Sequence, residues 1–318
     1  QSLGTSAGGT PTPRGSEGMS DQQEPIERPI PSVVLDGLKD FQRRTVDHVD
    51  SRFFDEEDPC RRFLVADEVG LGKTLVARGV TAKLVDRLWD EVERIDVIYI
   101  CSNTAIATQN IRKLQITKDA EFAHATRLTL LPRVSHDLQK RKLNFVSLTP
   151  GTSFSRHSAT GTGEERALLY LMLREAWDLG ERKGPLNVFC HQKDRKNFEW
   201  DIYGIENTST IDSQLKRDFL VNLEGTGLRE LFDETQDYFL RRQWKAAPEE
   251  GRAKQHRLID ELRRTLAHSC VDALEPDLVI LDEFQRFQHL LELDQEGNPT
   301  SDAGELAHQL FSYEDPAT

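Results

Sequence analysis

The stretch Val65-Ala66-Asp67-Glu68-Val69-Gly70-Leu71-Gly72-Lys73-Thr74 restricts the fold of this chain more than any other. Gly72-Lys73-Thr74 is the end of a phosphate-binding loop (P-loop). In such a loop, backbone N–H groups cradle phosphates, the lysine reaches the outer ones and the threonine hydroxyl ligates magnesium. Gly70 and Leu71 belong to the same turn. The flanks predict a matching context. Arg62 to Ala66 reads as a short apolar strand and Thr74 to Leu84 has helical apolar spacing, so the loop sits at a helix N-terminus, where anions are favoured. The alternative is a glycine turn that binds nothing, but lysine and threonine have no packing reason to follow such a turn.

Further strands are legible downstream. Asp96 to Cys101 is a β-branched and aromatic run, Asn144 to Leu148 is another, and Arg127 to Pro132 reads as a shorter one. Leu278 to Leu281 is a four-residue apolar strand that delivers Asp282 and Glu283 at its C-terminal end, the edge where ligands collect in open α/β sheets. Asp282 there suits magnesium, directly or through water, and Glu283 suits orienting and deprotonating an attacking water. An acidic helix start is the other reading of this pair. The fold class expected is α/β, a parallel central sheet flanked by helices.

Between Ser155 and Cys270 the pattern turns helical, over Glu164 to Leu179, Ser209 to Leu223, Leu228 to Trp244 and Gly251 to Ser269, with a strand suggested only at Leu186 to Cys190. The basic clusters here (Arg241-Arg242 with Lys245; Arg252, Lys254 and Arg257; Arg263-Arg264) read as solvated helix surface, with a nucleic-acid track as the alternative. His191 reads as packed or exposed, since no second pair completes a metal site. Residues 1–28 are expected to be disordered, and 1–18, which precede Met19-Ser20, read as a linker. The chain has 318 residues, a net charge of −13 and 37% hydrophobic residues. That is enough for one large or two small domains, and it argues against a histone-like positive coat. No apolar run is long enough to span a membrane and no secretory segment is visible, so a cytoplasmic protein with no membrane partner is expected. Cys60, Cys101, Cys190 and Cys270 are scattered, without metal or redox spacing.

Asp67-Glu68-Val69-Gly70-Leu71-Gly72-Lys73-Thr74, with Asp67 where the general P-loop pattern has glycine, resembles the loop of Swi/Snf-type ATPases of helicase superfamily 2. Asp282-Glu283-Phe284-Gln285 resembles that family's Asp-Glu box, with glutamine in the fourth place, which couples the ATP site to a neighbouring motif in the family. Asp282-Glu283-Phe284-Gln285-Arg286-Phe287 and Leu148-Thr149-Pro150-Gly151-Thr152-Ser153-Phe154 also resemble bacterial helicase-like proteins of phage-defence loci. The resemblance implies a RecA-like first ATPase lobe over 29–155 and 271–318, a mainly helical insertion over 156–270, and a second lobe beyond this chain. The cofactors implied are ATP and Mg2+, and the partner a nucleic acid, DNA before RNA.

The resemblance also assigns roles. Leu35 to Val49 reads as a helix with Leu38, Phe41, Val46 and Val49 on one face and Gln42 on its polar side. The family implication makes Gln42 an adenine contact, whereas the segment alone suggests a solvated glutamine. Thr104, Gln109 and Asn110 become contacts to the nucleic-acid backbone, with a plain helix cap at Ser102 or Asn103 as the alternative. Thr149 and Gly151 become phosphate contacts of the bound strand, with an ordinary Pro-Gly turn as the alternative. The expected function is an ATP-dependent translocase or helicase lobe, poorly active alone. The rival is a nucleotide-gated scaffold that recruits a nuclease or a defence-system partner through 156–270.

Overall fold

In the computed structural model, which describes residues 27–66, 70–101, 104–117, 122–124, 127–135, 141–148, 160–180, 182–241, 243–283, 285–286, 288, 291–294 and 296–312, four strands form one parallel sheet. They are β1 (Ile95–Ile100), β2 (Phe122–His124), β3 (Leu143–Leu148) and β4 (Leu278–Leu281), in the order β2-β3-β1-β4. β1 lies against β3 with Ile95 opposite Leu143 and Ile100 opposite Leu148, and takes β4 on its other side with Val97 opposite Leu278. Every residue of β1 and β3 is buried, so both are mainly apolar rather than alternating, and the buried Asp96 and Asn144 bond to each other across the pair. β4 is one edge strand, with β2 at the other edge, and all four β4 residues are half-buried.

Alternation along the strands gives each face its own helical layer. Val97, Tyr99, Leu143 and Phe145 pack with helices α3 (Lys73–Leu88) and α4 (Thr104–Leu114). Ile98, Ile100, Val146 and Leu148 point the other way and share a core with the helical stretch. That stretch comprises α5 (Gly163–Leu173), α6 (Lys183–Cys190), α7 (Arg195–Thr208), α8 (Ser213–Asn222), α9 (Leu228–Phe239) and α10 (Glu249–Asp272). The helices α5 to α10 therefore supply the sheet's second layer, joined there by α11 (Asp302–Phe311). On the first layer, α1 (Pro31–Leu35) and α2 (Asp40–Phe53) pack on α3, and Arg28 pairs with Asp86 and Asp90.

A buried carboxylate ties the second layer together. Glu165, 1% exposed, closes a capping box with Thr162 at the start of α5. It also accepts from Thr129 Oγ1 at 2.7 Å and pairs with Arg263 at 3.0 Å and Arg127 at 3.4 Å. Burial alone would raise its pKa, but Arg263, Thr129, the Thr162 N–H and Arg127 together hold it below the ordinary value.

Several expected elements differ. Arg62 to Ala66 is irregular rather than a strand: it adds no ladder to the sheet, and Phe63 and Leu64 stay exposed. Arg127 to Pro132 is not a strand, because Leu128–Arg133 coils into a 3₁₀ turn that buries Leu128, Leu130 and Leu131, and the short strand precedes it. Leu186 to Cys190 is helical. α6 starts at Lys183 with Gly184 and Pro185 in its first turn, and it is buried on all sides, so its sequence has no polar face to reveal the helical period. In α2 the inward face runs through Gln42, Val46 and Val49, continued by Leu38 just before the helix, with Gln42 only 3% exposed and Phe41 turned outward at 41%.

Candidate functional site

The glycine turn expected to hold phosphates stands at the start of α3. Gly70 (φ +92°) and Gly72 (φ +85°) both adopt left-handed backbone, which glycine reaches without a Cβ penalty. The Gly72 carbonyl accepts the N–H groups of Leu75 and Val76, so the turn leads directly into the helix. Lys73 is exposed and Thr74 half-buried in the first turn. Asp67, Glu68 and Val69 lie outside the described residues.

Gln42 reaches this turn from α2. Its Nε2 donates to the Leu71 carbonyl at 2.8 Å, while its Oε1 accepts the Lys39 N–H at 3.0 Å in a capping box. A Cβ added at Gly72 would lie 2.6 Å from Gln42 Nε2. The α2–α3 contact is equally close at Gly79, where a Cβ would lie 2.7 Å from Val46. The glutamine is thus buried against the loop rather than solvated, with its carboxamide bonded to backbone at both ends. The second Nε2–H and the second Oε1 lone pair are what the carboxamide has left for an adenine edge.

The carboxylates emerge from β4 as the sequence pattern requires. Alternation puts Leu278 and Ile280 toward the α3–α4 layer, and Asp282 follows in that register, with its N–H donating to the Ile100 carbonyl at 2.9 Å. Asp282 Oδ2 accepts Tyr99 Oη–H at 2.5 Å and Asn110 Nδ2–H at 3.1 Å, and the same Asn110 amide lies 3.1 Å from Tyr99 Oη. Burial and then the Asp282 carboxylate push the Tyr99 phenol up, so it stays a donor. Glu283 follows with φ +56°, a left-handed conformation uncommon for a residue with a side chain, and its carboxylate pairs with Arg286 at 2.9 Å.

β4 lies on one side of β1 and β3 on the other. The chain leaves β1 through α4 on one face of the sheet, and after β4 it reaches α11 on the other. The C-terminal ends of β1 and β4 therefore flank a topological switch point, the customary ligand crevice of open parallel sheets. A threonine hydroxyl and an aspartate carboxylate are hard oxygen donors, and Mg2+ bound by one or two such groups keeps the rest of its shell as water. Thr74 and Asp282 fit that chemistry. Among the described residues no cluster of three or more His, Cys, Asp or Glu forms a metal cage.

The expected nucleic-acid contacts divide. Gln109 is exposed on α4, while Asn110 is half-buried with its amide on Asp282 and Tyr99. Thr104 is the first residue of α4. Thr149 and Gly151 lie outside the described residues. Tyr99 was missed in the sequence. Its one signal is a phenol among aliphatic neighbours, immediately before the last residue of β1.

The basic residues of the helical layer are largely engaged. Lys254 pairs with Glu234, Arg264 with Glu305 and Arg263 with Glu165, and Arg252 lies over the Trp244 ring. Arg242 lies outside the described residues. His191, 6% exposed with φ +53°, faces His256 with Nε2 atoms 2.8 Å apart, and Trp244 stacks on His256. Among the described residues no helix is long and apolar enough to cross a membrane. Comparison with known protein families, curated proteins and solved structures finds no match.

Proposed function

We propose that this chain is a RecA-like ATP-binding lobe of an ATP-dependent nucleic-acid translocase or helicase of superfamily 2. The observation that carries the reading is the pairing of two features on one side of the sheet. One is a glycine turn in left-handed backbone opening into Lys73 and Thr74; the other is an Asp-Glu pair leaving β4 at the switch point.

In this reading the N–H groups from Gly70 to Thr74 and the N-terminal end of α3 hold the phosphates, and Lys73 neutralises charge that develops on the outermost one. Thr74 and Asp282 would hold Mg2+, which would supply positive charge to the phosphates. Gln42 meets the adenine edge. Glu283 leaves Arg286 to orient and deprotonate water, a task generally worth about 10²- to 10⁴-fold in rate. Its left-handed backbone fits the tendency of such conformations to collect at working sites. Thr104 and Gln109 at α4, together with Thr149 and Gly151, would meet the strand, DNA before RNA.

The test is ATP hydrolysis with and without single-stranded and duplex DNA and RNA, in a protein that includes this chain and any second lobe. Wild type is compared with Lys73→Ala and Glu283→Gln. Stimulation by nucleic acid that both substitutions abolish supports the motor.

One observation favours a second reading, a nucleotide-gated scaffold. Trp200 and Tyr203 on α7 are 69% and 58% exposed and lie edge to face at 5.7 Å, an aromatic pair suited to a partner surface. Hydrolysis indifferent to every nucleic acid, together with a partner lost on Trp200→Ala, would favour the scaffold.

A further inference from the structure

Asp282 is oriented by two side chains that no phosphate-loop pattern requires. Tyr99 comes from the middle of the sheet and is 1% exposed, and Asn110 comes from the second half of α4. Both donate to the same carboxylate atom, Oδ2, and among the described residues no donor reaches Oδ1. The third side of the triangle is the 3.1 Å contact of Asn110 with Tyr99 Oη, so each donor also fixes the other. A carboxylate at the end of a half-buried edge strand would otherwise rotate freely about its terminal torsion. Here one oxygen is anchored and the other is presented.

We propose that Tyr99 and Asn110 are positioning residues for a divalent cation, aiming Asp282 Oδ1 at the metal that accompanies the nucleotide. The proposal rests on the reading of Thr74 and Asp282 as a magnesium site. Donors behind a ligating carboxylate hold it in its binding orientation, and their loss typically lowers metal affinity about 10- to 100-fold. A buried tyrosine needs a partner for its hydroxyl in any case. A purely structural role would therefore show as lost stability with no change in the metal dependence of binding.

The experiment titrates a fluorescent ADP analogue into the whole chain, in EDTA and over a series of Mg2+ concentrations. It compares wild type with Tyr99→Phe, which keeps the ring, and Asn110→Ala, with thermal unfolding of each. Both substitutions are expected to shift the Mg2+ concentration for half-maximal enhancement of binding up by about tenfold, while affinity in EDTA stays within twofold. The double variant should shift little further, because both donors serve one oxygen. A wild-type Mg2+ response in both variants, a tighter one, or equal loss in EDTA and Mg2+ overturns the proposal. Wild type that binds no ADP under either condition overturns the magnesium-site reading itself, and that result is seen before any variant is made.

Discussion

The contact between Gln42 and the glycine turn makes a quantitative prediction. Gly72→Ala does two things at once. It forces a residue with a Cβ to hold φ +85°, a left-handed conformation costing about 1–2 kcal/mol, and it puts that Cβ 2.6 Å from Gln42 Nε2. The carboxamide is the flexible partner and must give way. It then loses its 2.8 Å bond to the Leu71 carbonyl, worth about 1 kcal/mol. The expected total is about 2–3 kcal/mol. In a Gln42→Ala background nothing remains to be displaced, so Gly72→Ala should cost only the backbone part, about 1–2 kcal/mol.

The double-mutant cycle should therefore show a coupling of about 1 kcal/mol, with the two changes costing less together than the sum of each alone. Urea midpoints of the four proteins measure it. Hydrogen exchange at Leu75 and Val76, whose N–H groups bond to the Gly72 carbonyl, reports the loop itself if only the start of α3 opens. Additivity within about 0.3 kcal/mol on both measures would refute the claim that Gln42 and the turn are in contact, and with it the route by which Gln42 reaches the nucleotide site.

Other outcomes follow from single residues. Glu283→Gly should relieve the φ +56° backbone and raise stability by about 1 kcal/mol, while lowering nucleic-acid-stimulated hydrolysis about 10²- to 10⁴-fold; unchanged hydrolysis would remove Glu283 from the chemistry. Arg263→Met leaves Glu165 buried with only Arg127, at 3.4 Å, as a cationic partner, and should cost about 3 kcal/mol in urea unfolding. Burial, Arg166 and His256 lower the His191 pKa from 6.5 to about 4, so the unfolded chain takes up the proton first, and stability should fall by about 1–3 kcal/mol as pH drops from 6.5 to 4. Asp277, raised by burial to about 6, opposes that slope, so the comparison is between wild type and His191→Asn, which should lose stability less steeply over the same range.

How far the sequence could be read depended on which physical signal each element carries. β1, β3 and β4 are legible as short, mainly apolar runs rich in β-branched and aromatic residues, and α3 because its loop announces its start. The same logic misread α6, whose run from Leu186 to Cys190 is as apolar as a strand because every side of it is buried. α7 was not anticipated at all, although Asp194 caps it by accepting the Lys196 N–H. The segment from Arg62 to Ala66 has strand composition but forms no ladder, and backbone pairing is a tertiary fact that composition does not carry. Residues 156–270 were recognisable as helical, yet only the shared core with Ile98, Ile100, Val146 and Leu148 reveals that they complete the sheet.

The site divides along the same line. Residues proposed for their place in a motif (Gly70, Gly72, Lys73, Thr74, Asp282 and Glu283) can be nominated from spacing alone. Residues whose importance lies in what they touch could not. Gln42 was assigned to a polar helix face because a hydrophobic template has no place for a buried amide, but burial costs little when both ends are hydrogen-bonded, as here to Lys39 and Leu71. Asn110 was assigned to a nucleic-acid strand because it follows β1, yet its amide lies on Asp282, a residue 172 positions away. If α4 carries the strand contacts, that bond makes any displacement of α4 by the strand a displacement of the Asp282 carboxylate. The box ending in Gln285 then need not be the only link between nucleotide and strand, because Asn110 supplies one through the sheet edge itself.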